Sequence, residues 1–444
     1  LTKLSSPIKT DTRMSMAASR KKIKRSRKPM SRKIMVGILT NPVSKNYFNN
    51  GLHQNAYFLY KLLEKIPTVN PILVYPGALL GPDAPDTTQI FDVTAHRISK
   101  FETEYHLDAL LLVSAVIDGR YLQLFKDKGV KMAAVIYGNR YVMDMETTVF
   151  GHLLGPEGLR NQSRRDLYRE DCAPDAVWVS PHFAWQKDYI QHRYQGSRSY
   201  VCPYIWDPVL LDLKYHQHPA FGATPCFAPG KPQNKKMFCT EPNINVLKTS
   251  LFPALAADLA YTSDPAGSFE HFYLYNAKRA ITHSDDFASY MGRFSSVRDK
   301  KISFRDRTGF PTMTKSAQIL FHHHFQNGLN YTMLEAAHLR LPVVHNSEWM
   351  PSLGYYYDGA NITDAARQIH HALGHEDRDD LEDYNAQCQQ TLDQFSINNI
   401  ENIKGYYTLL MNLLNPKHEP DLPGYIKTLD EDTKNYKGYL SPLV

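Results

Sequence analysis

The stretch richest in chemistry runs from Gln318 to Asn346. Ile319 to Phe321 is a short apolar run of the kind buried in a parallel sheet, and His322, His323 and His324 follow it. Asn327-Gly328 is a turn dipeptide whose glycine can take φ > 0 or let the backbone approach a ligand closely. From Tyr331 to Arg340 the spacing is helical, with Leu334, Ala337, Leu339 and Leu341 apolar. Pro342 forbids further helix, and Val343-Val344 begins another strand. A strand–turn–helix–strand unit places the helix N-terminus beside the C-terminal ends of the strands, where free N–H groups favour anions. Glu335, one turn into the helix, faces the same crevice and could hold a pair of ribose hydroxyls. As a carboxylate standing in a cleft it is expected to contribute little to packing. The plain alternative is a βαβ unit with a glycine turn and no ligand.

The three histidines invite a metal reading. On a strand, alternate residues share a face, so His322 and His324 converge while His323 points away. No carboxylate or cysteine follows at ligand spacing, so no metal site is expected. Nucleophilic catalysis lacks its usual signatures: there is no Gly-x-Ser-x-Gly elbow and no recognisable Cys–His pairing. The five cysteines (Cys172, Cys202, Cys226, Cys239, Cys388) are odd in number, widely spaced and free of Cys-x-x-Cys pairs. That pattern fits reduced thiols in a cytosol. No apolar run approaches the ~20 residues that span a bilayer, and no hydrophobic signal-peptide core stands near the N-terminus.

The elements that position these residues belong to two similar halves, each strand–helix alternating, which predicts parallel, doubly covered sheets. The first half begins at Lys33 with the buried-strand pattern Ile34–Leu39, a polar loop from Thr40 to Gly51, and a helix from Leu52 to Ile66. This is how a Rossmann-like half opens, although the loop lacks Gly-x-Gly-x-x-Gly and so is no dinucleotide fingerprint. Further strands are expected at 72–75, 109–114, 132–137, 176–179 and 200–204. Gly138-Asn139-Arg140-Tyr141 follows one of them, where open α/β sheets bind ligands, and leads into a helix with Glu146. Arg140 and Glu146 are therefore either ligand-side groups or surface charges. Pro219, Pro225, Pro229 and Pro232, with Gly222 and Gly230, mark residues 209–235 as a linker. Residues 236–240 resume as a strand. Glu241-Pro242-Asn243-Ile244-Asn245 then leads into a helix carrying Lys248, capped by Asn243 or Asn245. Strands at 272–275, 301–304, 319–321 and 343–344 complete a second sheet. Residues 381–414 read as helix, broken near Ser396.

These readings define a first domain over 34–208, the linker 209–235, a second domain over 236–395, a crossing helix over 396–415 and a tail over 416–444. A 43% hydrophobic and 12% aromatic composition argues for filled cores. The net charge of +6 is divided unevenly. Residues 1–33 hold twelve Lys/Arg and one acid, Asp11, a local balance of +11, so the rest carries +6 − 11 = −5. This basic segment is expected to be disordered, because it buries too little apolar area to offset its ordering entropy. Residues 20–33 could attract nucleic acid or an anionic surface through phosphate contacts, or simply be a solvated extension.

Several phrases resemble the bacterial and phage family catalogued as domain of unknown function 2827, whose members look like GT-B glycosyltransferases. They are Asn50-Gly51-Leu52-His53-Gln54-Asn55-Ala56, Tyr204-Ile205-Trp206-Asp207-Pro208, Glu241-Pro242-Asn243-Ile244-Asn245-Val246-Leu247-Lys248 and Leu329-Asn330-Tyr331. Val344-His345-Asn346 and Leu353-Gly354-Tyr355-Tyr356-Tyr357 complete the set, which spans about residues 34–415. The stretch from Gly328 through Leu334-Glu335-Ala336 to Pro342-Val343-Val344 also resembles the nucleotide-sugar site of retaining GT-B enzymes. The acidic residue usual one helical turn before Glu335 is replaced by Tyr331.

The resemblance implies an α/β, GT-B-like fold, with two Rossmann-like domains facing across a cleft. It implies a nucleotide-sugar donor as substrate, no further cofactor, and sugar transfer that is metal-independent and retaining. The donor side would comprise Glu335, Gly328, Leu329, Asn330, His323, Lys248, Asn243 and Glu241, with His323 touching the donor base or sugar. Lys248 is the first choice for the phosphate cation, ahead of Arg293 and Arg305. Asn50, Gly51, His53, Arg140 and Glu146 would lie on the acceptor side. The acceptor itself stays open among glycan, protein, small molecule and DNA, and no residue is singled out as catalytic. A DNA-modifying transferase, a nucleotide-sugar epimerase and a non-catalytic nucleic-acid-binding protein remain as rivals. The last lacks interleaved aromatics in its basic segment and any recognisable base-reading module.

Overall fold

The computed structural model describes residues 32–416 except 49, 78–82, 84, 116, 151–172, 226–234 and 375–380. The expectations for residues 1–31, for 226–234 of the linker and for the tail beyond 416 therefore lie outside the described residues. Among the described residues no helix is long and apolar enough to cross a membrane.

The first sheet contains β1 (Ile34–Leu39), β2 (Val69–Tyr75), β3 (Thr87–Ile90), β4 (Val93–Arg97), β5 (Ala109–Leu112), β6 (Lys131–Ile136), β7 (Ala176–Val179) and β8 (Arg198–Val201). Their order is β3-β4-β2-β1-β5-β6-β7-β8. All neighbours are parallel except the edge pair β3–β4. Fully buried runs such as Ala109–Leu112 and Ala176–Val179 show that both faces are covered, the condition under which parallel sheets persist. The β3–β4 hairpin was not expected. Its strands are largely polar, and it turns through Phe91 at φ 55° without an Asn-Gly or Asp-Gly signal.

The second sheet contains β9 (Lys236–Cys239), β10 (His271–Leu274), β11 (Ile302–Phe304), β12 (Ile319–His322), β13 (Val343–His345) and β14 (Tyr355–Tyr356). It is parallel throughout, in the order β11-β10-β9-β12-β13-β14. The chain leaves β9 toward β10 on one side and later returns through β12 on the other. The loops after β9 and β12 therefore diverge and open a crevice at the strand ends, as open α/β sheets do at a reversal of strand order. The first sheet reverses in the same way between β1 and β5.

Residues 209–235 are not simply a linker. Val209–Gln217 is a helix, and the Asp207 carboxylate accepts from the Val209 N–H at 2.9 Å at its start. The prolines that suggested a linker begin at Pro219, beyond this helix, and Pro208 stands where a helix tolerates proline. At the C-terminal end, helices Leu381–Phe395 and Ile400–Leu414 are separated at Ser396, with Asn399 capping the second through the Glu401 N–H at 2.9 Å. That second helix lies on β6 and on the Gly51–Glu64 helix of the first sheet. Its Tyr406 hydroxyl lies 3.2 Å from that of Tyr137 and donates to the Pro203 carbonyl at 2.9 Å. A Cβ on Gly405 would come within 2.6 Å of the Pro203 ring, so this crossing needs glycine for space.

Tyr331 joins the two sheets. Its ring packs edge-on to Phe58 at 5.6 Å and tilted against Tyr204 at 5.2 Å. Its hydroxyl reaches the Asn55 Oδ1 at 2.5 Å and the Ile205 carbonyl at 2.7 Å. Tyr331→Phe would leave both buried acceptors without that proton. It should lower the free energy of unfolding by about 1–3 kcal/mol, read as a lower denaturant midpoint at unchanged slope. An unaltered midpoint would show that the phenol does not tie the halves together.

Candidate functional site

Between the sheets lies a cavity of about 340 Å³, within the size range of small-molecule sites. Asn50, Gly51, Tyr137 and Tyr204 line it from the first sheet, and Glu241, Lys248, Arg307, Leu329, Asn330 and Glu335 from the second. Lys214 enters from the Val209–Gln217 helix. Two helix N-termini face this space. Asn50 caps the Gly51–Glu64 helix through the Leu52 N–H at 3.0 Å, and Asn330 caps Tyr331–His338 through the Thr332 N–H at 3.0 Å. Their remaining N–H groups give the cavity a positive bias.

Lys248 is in the cavity but not on a helix, contrary to expectation. Residues 241–250 form a compact turn, and helix begins only at Leu251. Asn243, at φ 52°, organises this turn: its Oδ1 accepts from the Ser250 N–H and hydroxyl, both at 2.8 Å, and its N–H donates to the Lys248 carbonyl at 3.1 Å. Such side-chain-to-backbone bonds offer an alternative to helix. Burial lowers the Lys248 ammonium from its ordinary value, and the Glu241 carboxylate partly restores it. Among the described residues no carboxylate lies within ion-pair distance of Lys248, so its charge is uncompensated at close range. Arg307 supplies a second cation on the same side. Arg293 caps the C-terminus of Asp285–Gly292 and Arg305 lies over the Tyr273 ring at 5.4 Å; neither lines the cavity.

Glu335 lines the cavity but is not a free carboxylate. Its Oε1 accepts from the Lys214 ammonium at 2.9 Å, and both side chains are nearly buried. The expectation that it contributes little to packing is therefore corrected: removing it strands a buried ammonium, a costly state. Gly328 does not adopt positive φ, which falls instead on Gln326 at 50°. The glycine is there for space, since a Cβ would meet the Trp349 ring at 2.6 Å.

The histidines separate as strand alternation requires. His322 and His324 share a side, with ring centroids 6.4 Å apart. His322 Nδ1 lies 2.6 Å from Glu241 Oε1, an ion-pair distance at an angle that makes no hydrogen bond. Glu241, itself almost wholly buried, thus faces His322 with this oxygen. His323 points away from the cavity, stacked at 3.9 Å on Phe252, with Nδ1 2.8 Å from the Tyr357 hydroxyl. Its expected contact with a donor base or sugar is therefore not supported by its position. Among the described residues no three His, Cys, Asp or Glu side chains are grouped as a metal site requires.

Of the acceptor-side residues, Asn50 and Gly51 line the cavity, while His53 is buried behind them against Tyr47. Arg140 is locked to Asp144 at 2.7 Å, a carboxylate also bound by Tyr189 and Arg193 and held below its ordinary pKa mainly by those partners against burial. Glu146 accepts from the Val246 N–H at 2.8 Å and borders a separate apolar groove with Met145, Phe150, Trp185 and Phe325. Both are bridging or structural groups outside the cavity. Lys214 and Arg307 were missed. The first lay in a segment read as linker, and the second is two residues from Arg305 on a loop whose direction no periodicity reveals.

Two sheets, each parallel about its reversal of strand order, with a cavity between them and a returning C-terminal helix, constitute the GT-B fold. OtsA, a trehalose-6-phosphate synthase, is similar at 10% identity and a TM-score of 0.52, over 86% of this chain and 99% of that chain. The N-terminal domain of Candida albicans trehalose-6-phosphate phosphatase is similar at 8% identity and a TM-score of 0.51, over 86% and 97%. TarM of S. aureus, in complex with Fondaparinux, alpha-GlcNAc-glycerol and UDP, gives 15% identity and a TM-score of 0.40, covering 82% of this chain. The match covers 59% of the TarM chain, so this chain spans about three fifths of that length. The chain belongs to the family described as a protein of unknown function, DUF2827, whose pattern it matches over residues 34–410. No curated protein matches it.

Four buried histidines give the site region a defined acid response. Burial holds His182 and His323 at about 3, His324 at about 2 and His345 at about 4, all from 6.5. Below pH 6.5 the unfolded chain binds protons that the folded chain refuses, so stability is present above that pH and falls as pH drops toward the folded values. Each histidine contributes up to about 1.4 kcal/mol per pH unit in that window. Urea midpoints should fall between pH 7 and pH 5, and replacing His323 by Phe, which suits the stack on Phe252, should shallow the fall. A flat profile would contradict the neutral, buried state of these rings.

Proposed function

We propose that the protein is a glycosyltransferase, moving a sugar from a nucleotide-sugar donor to an acceptor hydroxyl with retention of configuration and without a bound metal. The observation that carries this reading is the convergence of Lys248, Arg307 and Glu335 on one cavity at the strand-order reversal of the second sheet, beside the N-terminus of Tyr331–His338. In the reaction, the anomeric carbon parts from a phosphate oxygen and bonds to the acceptor oxygen, whose proton is released. The nucleoside diphosphate gains charge as it leaves. Lys248, Arg307 and the helix N–H groups are the proposed preorganised positive groups that would stabilise that charge. Glu335 would accept from the donor ribose. Asn50 and Gly51, on the opposite wall, are the proposed acceptor-side groups. The family resemblance and the GT-B fold support the reading, and retention rests on the resemblance of the 328–344 stretch alone.

Calorimetric titration with a panel of nucleotide sugars tests it. At least one should bind saturably, and Glu335→Ala should weaken that binding by about 1.5–3 kcal/mol. The same variant should lose thermal stability, because Lys214 is left unpaired. Lys248→Met should weaken the nucleoside diphosphate while leaving the bare nucleoside unaffected. Equal losses for both, or no nucleotide binding by the intact protein, would reject the assignment.

A further inference from the structure

We propose that Lys214 is a positioning residue that fixes the Glu335 carboxylate for recognition of a ribose, and so makes donor binding selective for ribonucleotides. The proposal rests on the donor reading above and extends it to a residue outside the motif that suggested it. Lys214 stands on the Val209–Gln217 helix and reaches Glu335 Oε1 at 2.9 Å, with side-chain exposures of 11% and 10%. Among the described residues Glu335 Oε2 has no partner, so one oxygen is held and the other is left for a ligand hydroxyl.

The helix that carries Lys214 is itself held to the half that contains Glu335. On one side of Lys214, Asp212 Oδ1 lies 3.2 Å from His338 Nε2, on the same helix as Glu335. On the other, the Tyr215 hydroxyl lies 2.7 Å from the Thr314 hydroxyl on Phe310–Ser316. Three ties, at 212, 214 and 215, hold the ammonium's helix to the half that carries the carboxylate. A glutamate side chain has several rotatable bonds, and holding one oxygen removes most of the freedom a ligand would otherwise have to restrict. The pairing also separates the tasks of the cavity's cations. Lys214 is neutralised by Glu335, whereas Lys248 has no carboxylate at ion-pair distance among the described residues and so serves the diphosphate.

The test is the affinity of the full chain for the four ribonucleoside diphosphates and their 2′,3′-dideoxy counterparts, measured by titration for wild type, Lys214→Met, Lys214→Arg, Glu335→Gln and the Lys214→Met/Glu335→Gln double variant. Wild type should favour the ribo form by about tenfold or more, the value of one charge-assisted hydrogen bond. Lys214→Met and Glu335→Gln should each bring the two forms within about twofold, the double variant should lose no more than either, and Lys214→Arg should keep the preference. This ratio is insensitive to a general loss of stability, which would weaken both ligands alike, and the double variant removes the stranded charge. Lys214→Met retaining the full ribo preference would overturn the proposal, as would a wild type that binds both forms equally. A wild type that binds no nucleoside diphosphate would instead overturn the donor reading itself.

Discussion

The molecule depends on how one helix, Tyr331–His338, is seated between its two sheets. Its first residue is a buried tyrosine whose hydroxyl finds its acceptors, among the described residues, on the far side of the cleft, at Asn55 and Ile205. Seating that phenol brings the helix N-terminus against the start of Gly51–Glu64, so that two capped helix ends open on one cavity. It also sets Glu335, one turn later, within reach of Lys214. Tyr331 is thus a structural tie between the halves. Glu335, Lys248 and Arg307 are the charged side chains that line the cavity together with Lys214 and Glu241.

The second constraint is the placement of charge. The cleft holds cations of two kinds: Lys214, matched by a carboxylate, and Lys248, displaced from its ordinary pKa by burial with only Glu241 to offset it. The uncompensated charge sits in a turn held by Asn243 rather than on a helix, with Asn243 bonded to the Ser250 N–H and hydroxyl and to the Lys248 carbonyl. An arrangement of this kind costs stability unless an anion joins it.

Much of the architecture was legible because the signals were local. Continuous apolar runs marked β5 and β7, and an apolar helical stripe marked Gly51–Glu64 within a residue or two of its ends. Strand alternation separated His323 from His322 and His324. What was hidden depended on which side chain pairs with which. Prolines from Pro219 onward masked the preceding helix and with it Lys214. Local bonds of Asn243 replaced the expected helix at Lys248, and Arg140 proved to belong to Asp144 rather than to the cleft. The partners of Arg140 and Asn243 are near in sequence and that of Lys214 is far, and in either case spacing alone does not tell a paired charge from a waiting one.

The most direct test is a crystal structure of the full chain with a nucleoside diphosphate bound. It should show the diphosphate between Lys248, Arg307 and the N-terminus of Tyr331–His338, with a ribose hydroxyl on the Glu335 oxygen that Lys214 leaves open. A nucleotide bound elsewhere, or one in the cavity with its ribose turned away from Glu335 and its phosphates remote from Lys248, would contradict this account.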